Sequence, residues 1–103
     1  MNFIVANRIF LKPEYNQEFE QRFKDRAGQI DKQAGFVRME ICRPKSDNTP
    51  YVVLTHWKDE AAFKNWVGSE DFKLAHQNPM NKEAFLEGGG LEQFEVIIST
   101  DEQ

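Results

Sequence analysis

Residues 2–11 read Asn-Phe-Ile-Val-Ala-Asn-Arg-Ile-Phe-Leu, and no other stretch constrains the fold as much. Side chains along a strand alternate between two faces. Phe3, Val5, Asn7, Ile9 and Leu11 therefore point one way, and Ile4, Ala6, Arg8 and Phe10 the other. Both sets are mostly apolar. An antiparallel sheet with water against one face shows a polar set there, so this strand predicts a sheet covered on both sides. Helices of the same chain can cover one side. The simplest cover for the other is a second copy of the sheet, giving a two-fold homodimer.

The rest of the chain supplies those helices and strands. Lys12-Pro13 ends the first strand, and from Glu14 to Ile30 the period becomes helical, with Tyr15, Phe19, Phe23, Ala27 and Ile30 on one stripe. Gly35 marks a turn, and Phe36 to Arg43 reads as a second strand. The polar, proline-bounded residues 44–50 form a hairpin loop. Tyr51 to Trp57, rich in β-branched and aromatic residues, is a third strand. Asp59 or a neighbour caps a short helix carrying Ala62, Phe63, Trp66 and Val67, which Gly68 interrupts. Ser69 is a fresh N-cap, with Glu70 and Asp71 at the positive end of a helix running to about Gln77. Pro79 and Gly88-Gly89-Gly90 predict a mobile loop over 78–90, followed by a last strand from Phe94 to Ser99. The order β-α-β-β-α-α-β predicts an α+β, ferredoxin-like fold with helices on one face of an antiparallel sheet. Its 103 residues suit one domain, 1–103, with the core in 2–99.

Composition narrows the function. At 40% hydrophobic and 29% charged residues the chain reads as a soluble globular protein. No apolar run approaches the ~20 residues that span a bilayer. The opening residues lack the basic stretch of a secretory signal, and Cys42 stands alone, which excludes an internal disulfide framework and a Cys-based zinc site. A cytoplasmic protein without a membrane partner is expected. The net charge of -4, from 13 basic and 17 acidic residues, argues against nucleic acid as a partner. A small anionic ligand held by a few arginines stays open.

Four features exceed what a plain core requires. Asn7 lies in phase with Phe3, Val5 and Ile9, so its amide is expected within an apolar layer. A buried amide without partners costs roughly 1–3 kcal/mol, so Asn7 either bonds nearby backbone or serves a ligand pocket. His76 falls near a helix C-terminus beside Phe72 and Ala75, as a cap favoured by the helix dipole or as a metal ligand through a neutral imidazole. His56, in phase with Val52 and Leu54, is the rival histidine, and spacing does not choose between them. Trp66, like Trp57, fits a core aromatic when taken alone. Arg22 and Arg26, four residues apart beside Phe23, form a solvated face in which Glu18 pairs with Arg22, or a basic ledge for an anion.

Together these residues resemble the IsdG-type haem-degrading monooxygenases of the antibiotic biosynthesis monooxygenase superfamily. The likeness spans roughly residues 3 to 77. It rests on the strand Phe3-Ile-Val-Ala-Asn7-Arg8, on Arg22-Phe23 and Arg26, and on the block Trp57-Lys-Asp-Glu-Ala-Ala-Phe63-Lys-Asn-Trp66-Val-Gly-Ser69-Glu-Asp-Phe72-Lys-Leu-Ala-His76. The joint presence of Asn7, Trp66 and His76 looks like that family's functional triad. After Asn78 the resemblance fades.

The resemblance implies a dimeric ferredoxin-like α+β barrel in which each subunit holds one haem, as both cofactor and substrate. His76 would be the axial ligand to haem iron, Asn7 a hydrogen-bond donor on the oxygen side, and Trp66 the group that distorts the ring. Phe23 would pack on the macrocycle, with Arg22 and Arg26 near the propionates. Oxygen and an external electron donor, delivered by a reductase, would open the porphyrin and release iron. Two readings compete: a cofactor-independent quinol or polyketide monooxygenase of the same superfamily, and a haem-binding protein without catalysis.

Overall fold

The two-faced strand takes the place that its pattern demands, inside the sheet. A computed structural model of the chain describes residues 2–25 and 29–102. Four strands, β1 (Phe3–Ile9), β2 (Phe36–Cys42), β3 (Tyr51–Trp57) and β4 (Gly90–Glu95), form one antiparallel sheet in the order β2-β3-β1-β4. The helices are α1 (Asn16–Asp25), α2 (Glu60–Val67) and α3 (Glu70–Ala75). This is the ferredoxin-like order, with β1 hydrogen-bonded on both edges.

The register sorts side chains by face. Phe3 sits opposite Trp57, Val5 opposite Thr55 and Asn7 opposite Val53. Phe3, Val5 and Trp57 pack with Ile30, Ala62 and Trp66 into a core on the helix side. Trp57 is fully buried, and its indole N–H donates to Thr55 Oγ1 at 2.9 Å, so even the polar end of the ring is satisfied. A second cluster joins Phe19 of α1 to Tyr51, Met80 and Ala84. The opposite face carries Ile4, Ala6, Leu54, His56 and Phe94, grouped by pairings such as Ile4 with His56 and with Phe94. Ala6 and His56 on it are buried, whereas Phe94 is half exposed.

Several expected boundaries move, each for a local reason. β1 ends at Ile9, and Leu11 forms only an isolated bridge to Phe85. The first helix is shorter than Glu14 to Ile30: a 3-10 turn over Pro13–Tyr15 precedes α1, and Ile30 belongs to a separate 3-10 turn, Ile30–Lys32. Ala27 lies outside the described residues. The last helix stops at Ala75, with His76 as its C-cap.

The largest revision concerns the C-terminal third. Residues 78–90 are anchored to the body at points: Met80 and Ala84 are buried, and Lys12 N donates to Ala84 O at 2.9 Å while Leu86 N donates to Phe10 O at 2.8 Å. The glycine run serves close approach. A Cβ on Gly89 would lie 2.5 Å from the Arg8 carbonyl oxygen, and Gly88 has φ +103°, a region that side chains disfavour. β4 therefore starts at Gly90, not Phe94. It pairs from Gly90 opposite Arg8 to Glu95 opposite Phe3 and ends where β1 runs out, with Val96 N bonded to Asn2 O. Ile97 and Ile98 lie beyond the sheet, 72% and 83% exposed.

An ionic tie fastens α1 to the strands. Arg43 Nη2 and Nε donate to the two Glu20 carboxylate oxygens at 2.6 and 2.8 Å, and the Tyr51 hydroxyl donates to the same carboxylate. The Arg43 guanidinium, helped by Tyr51, holds Glu20 at a pKa of about 2, down from 4.5. Burial first, then the Glu20 hydrogen bond, pushes the Tyr51 hydroxyl up. A depressed carboxylate stabilises the fold above its unfolded pKa and loses that contribution as pH falls through the folded value. Glu20→Gln is therefore expected to lower the unfolding midpoint at pH 7, with the difference from the parent chain closing between pH 4.5 and about 2. A difference independent of pH in denaturant melts would show that the tie is not ionic.

Candidate functional site

The site grows out of two short, well-capped helices. Asp59 accepts from Ala62 N at 2.9 Å and starts α2. Ser69 Oγ donates to Trp66 O at 2.7 Å and accepts from Phe72 N at 3.1 Å, so one hydroxyl closes α2 and opens α3. That hinge brings the indole of Trp66 edge-on to Phe72, with ring centroids 5.3 Å apart at 80°. Four residues on, one helical turn, His76 stacks on the same Phe72 at 4.1 Å.

The Phe72 carbonyl decides which ring nitrogen of His76 is left to the cavity. Nδ1 lies 2.8 Å from the Phe72 carbonyl oxygen. A carbonyl can only accept, so Nδ1 carries a proton, and the lone pair with which an imidazole binds a metal belongs to Nε2. Metal-ligating histidines commonly donate their second N–H in this way, which fixes the ring and raises its basicity. Among the described residues no three His, Cys, Asp or Glu converge as a metal cluster. His76 is thus a lone imidazole donor, suited to a metal whose other ligands arrive with it.

His76 stands where two cavities meet. An inner one of about 290 Å³ lies between the helices and the sheet, walled by Val5, Ile30, Phe63, Trp66 and Phe72. An outer one of about 570 Å³ lies under residues 79–90 and includes Phe10, Arg22, Met80 and Phe85. Asn7, Phe23 and His76 line both. Walls of this kind, apolar with a few convergent polar groups, mark a small-molecule site, and the volumes suit one.

Most of the residues singled out from the sequence converge here. Asn7 does, but its setting differs from expectation: it is exposed at the junction of the cavities rather than buried, and no hydrogen bond ties its side chain among the described residues. Val5, on the same face, is buried in the core, whereas Asn7 faces the hollow that both cavities share. Trp66 is 6% exposed and belongs to both the core and the inner wall. Phe23 is a shared wall, set by its ring contact with Phe19 at 5.0 Å. Arg22 lines the outer cavity, its Nε donating to Glu18 at 3.1 Å and its Nη1 to the Asn78 carbonyl. Arg26 lies outside the described residues. His56 is not brought in: it is buried on the other sheet face, its Nε2 2.9 Å from Glu40.

Residues of the outer wall were missed. Met80, Phe85 and Leu86 sit in a stretch whose Pro and Gly content reads as loop, and their apolar spacing was the available signal. Phe72 as the partner of His76 was also legible, since the two are four apart on a helix.

A family model described as antibiotic biosynthesis monooxygenase matches residues 2–78. The chain belongs to that family. The matched range contains β1, α1, β2, β3, α2 and α3, hence Asn7, Phe23, Trp66 and His76, while the outer wall beyond Asn78 falls outside it. A heme oxygenase (mycobilin-producing) from Mycobacterium tuberculosis is 29% identical over 98 residues, covering 95% of this chain and 91% of its own. A heme oxygenase (staphylobilin-producing) from Staphylococcus haemolyticus is 36% identical over 78 residues, 74% of each chain. The structure of the heme-degrader MhuD from Mycobacterium tuberculosis, with two hemes bound in its active site, superposes with a TM-score of 0.78 at 28% identity, covering 95% of this chain and 98% of that one.

Proposed function

We propose that this family member is a haem-degrading monooxygenase that takes haem as both cofactor and substrate and opens its ring, releasing iron. The observation that carries the reading is the imidazole of His76, its Nδ1–H bonded to the Phe72 carbonyl, with Nε2 left to a cavity walled by aromatic rings. The similarity to proteins named heme oxygenase supports it.

The residues fit the group. A flat, mostly apolar macrocycle matches the aromatic walls, and its metal needs the single nitrogen that His76 offers. Bound haem supplies the iron at which dioxygen is activated and the ring carbons that are oxidised, with electrons from an external donor. The chain itself binds and orients. His76 Nε2 would hold the metal, and Phe23 would pack on the macrocycle. Asn7 offers an amide N–H into the hollow without adding a net charge to an apolar site. Trp66, clamped by Phe72 and the core, is a wall that cannot yield. The reading includes a reductase as the electron source and a cytoplasmic setting, which the lone thiol of Cys42 fits.

Hemin added to the protein is expected to give a Soret band at one equivalent per chain. Ascorbate or a reductase in air, with catalase present to remove free peroxide, is then expected to bleach it. No Soret shift would favour a quinol-type enzyme, and a stable band a haem carrier.

The proposal extends to a homodimer closed through the sheet face opposite the helix-side core. Ile4, Leu54 and Phe94 on that face are apolar, and Ile97 and Ile98, past the end of β4, are exposed. Sedimentation at micromolar concentration is expected to return twice the 12.1 kDa of the chain; a monomer mass would leave the second layer of the barrel without a source.

A further inference from the structure

α3 carries the proposed metal ligand, yet it is only six residues long, far below the ~12–15 at which a helix holds itself in water. Its direction, and with it the aim of His76, must be set from outside. Among the described residues, side-chain hydrogen bonds reach from other elements to residues 70–78 at two points. Gln33 Nε2 donates to Asp71 Oδ2 at 2.9 Å at the start of α3. Arg22 Nη1 donates to the Asn78 carbonyl, two residues past His76. The two bonds bracket the histidine.

Arg22 is itself held for this task. Glu18, one turn earlier on α1, accepts from its Nε at 3.1 Å, so the guanidinium plane is oriented before it meets Asn78. A cation donating to a carbonyl makes one of the stronger hydrogen bonds available. Past the C-cap the backbone has little else to hold it: Gln77 N reaches Leu74 O only at 3.4 Å.

We infer that Arg22 is a positioning residue, which acts on the haem bound at His76 by fixing the Asn78 carbonyl and so the end of α3, and not by pairing with a propionate. The inference rests on the proposed haem function, and the test separates the two. Arg22→Met keeps the aliphatic stem and removes the donors. Haem and its dimethyl ester, whose propionates carry no charge, are each titrated by Soret absorbance into parent and variant. Supporting partners of a metal ligand are worth roughly 10–100-fold in metal affinity. A loss of that size is expected for haem and, within twofold, the same loss for the ester. The ferrous iron–histidine stretch in resonance Raman is expected to shift or broaden.

A loss confined to haem and absent with the ester would overturn the inference, as would unchanged affinity for both. Arg22→Lys adds a further arm. Lysine keeps the charge but cannot bridge Glu18 and Asn78 as the planar fork does, so it is expected to behave like methionine, and restored haem affinity would assign Arg22 to a propionate. Amide hydrogen exchange in the haem-free protein gives a readout independent of ligand. His76 and Gln77 are expected to exchange faster in Arg22→Met, with β1 and β3 unchanged; unaltered exchange there would refute the latch. A parent chain that binds neither porphyrin would sink the haem reading, while the exchange data would still decide the latch.

Discussion

His76→Ala is expected to reduce reductant-driven haem loss by roughly 100-fold or more, to the level left by coupled oxidation, since even the outer partners of a metal ligand account for 10–100-fold. The argument is local. His76 presents one nitrogen to the cavities because the other is spent on the Phe72 carbonyl, and among the described residues no cluster of ligands stands by to replace it. His76 is exposed, so stability is expected to change by no more than about 0.5 kcal/mol. Added imidazole, filling the space vacated by the ring, is expected to restore part of the Soret shift. Decay at the parental rate in the variant, with catalase present, would remove His76 from the site.

Trp66→Phe is expected to separate binding from ring opening. The indole is 6% exposed, edge-on to Phe72 and packed with Phe3, Val5 and Trp57. A wall embedded in a close-packed core yields little to a planar ligand pressed against it. Strain imposed on bound substrates is typically ~1–5 kcal/mol. Losing ~1.4 kcal/mol of it slows a step tenfold. Haem affinity within about threefold of the parent, with ring opening slowed about tenfold, is the expected pattern. The smaller ring also leaves a void, at a cost of ~1–3 kcal/mol in unfolding free energy, so rates are to be normalised to folded protein. Equal rates in parent and variant would show that Trp66 is a core residue only.

These two residues also show how far the chain could be read without coordinates. Trp66 and His76 are ten apart, and their meeting around Phe72 needs Ser69 to end one helix and begin the next, which its side chain does. That much is local chemistry and was legible. Choosing His76 over His56 was not. Strand phase put His56 with Val52 and Leu54, yet periodicity cannot say which face of a sheet the helices cover. Pairing Glu40 with His56 on the far face excluded it. For Asn7 the phase was right and the burial wrong, because alternation gives the direction of a side chain and not how near the opposing helix comes.

What the amino-acid order determined by itself was the set of elements and their sequence: the two-faced β1, the caps at Asp59 and Ser69, the tyrosine-to-tryptophan run of β3. Each depends on neighbours within a few residues, where propensity, capping and alternation act. What tertiary structure alone decided was everything requiring contact across long separations. The start of β4 at Gly90 depends on how close Gly89 must come to the Arg8 carbonyl. The packing of residues 78–90 depends on bonds to Phe10 and Lys12. The hold of Arg22 on Asn78 spans 56 residues. Such contacts form only once the sheet has brought distant segments together, and no local pattern records their geometry.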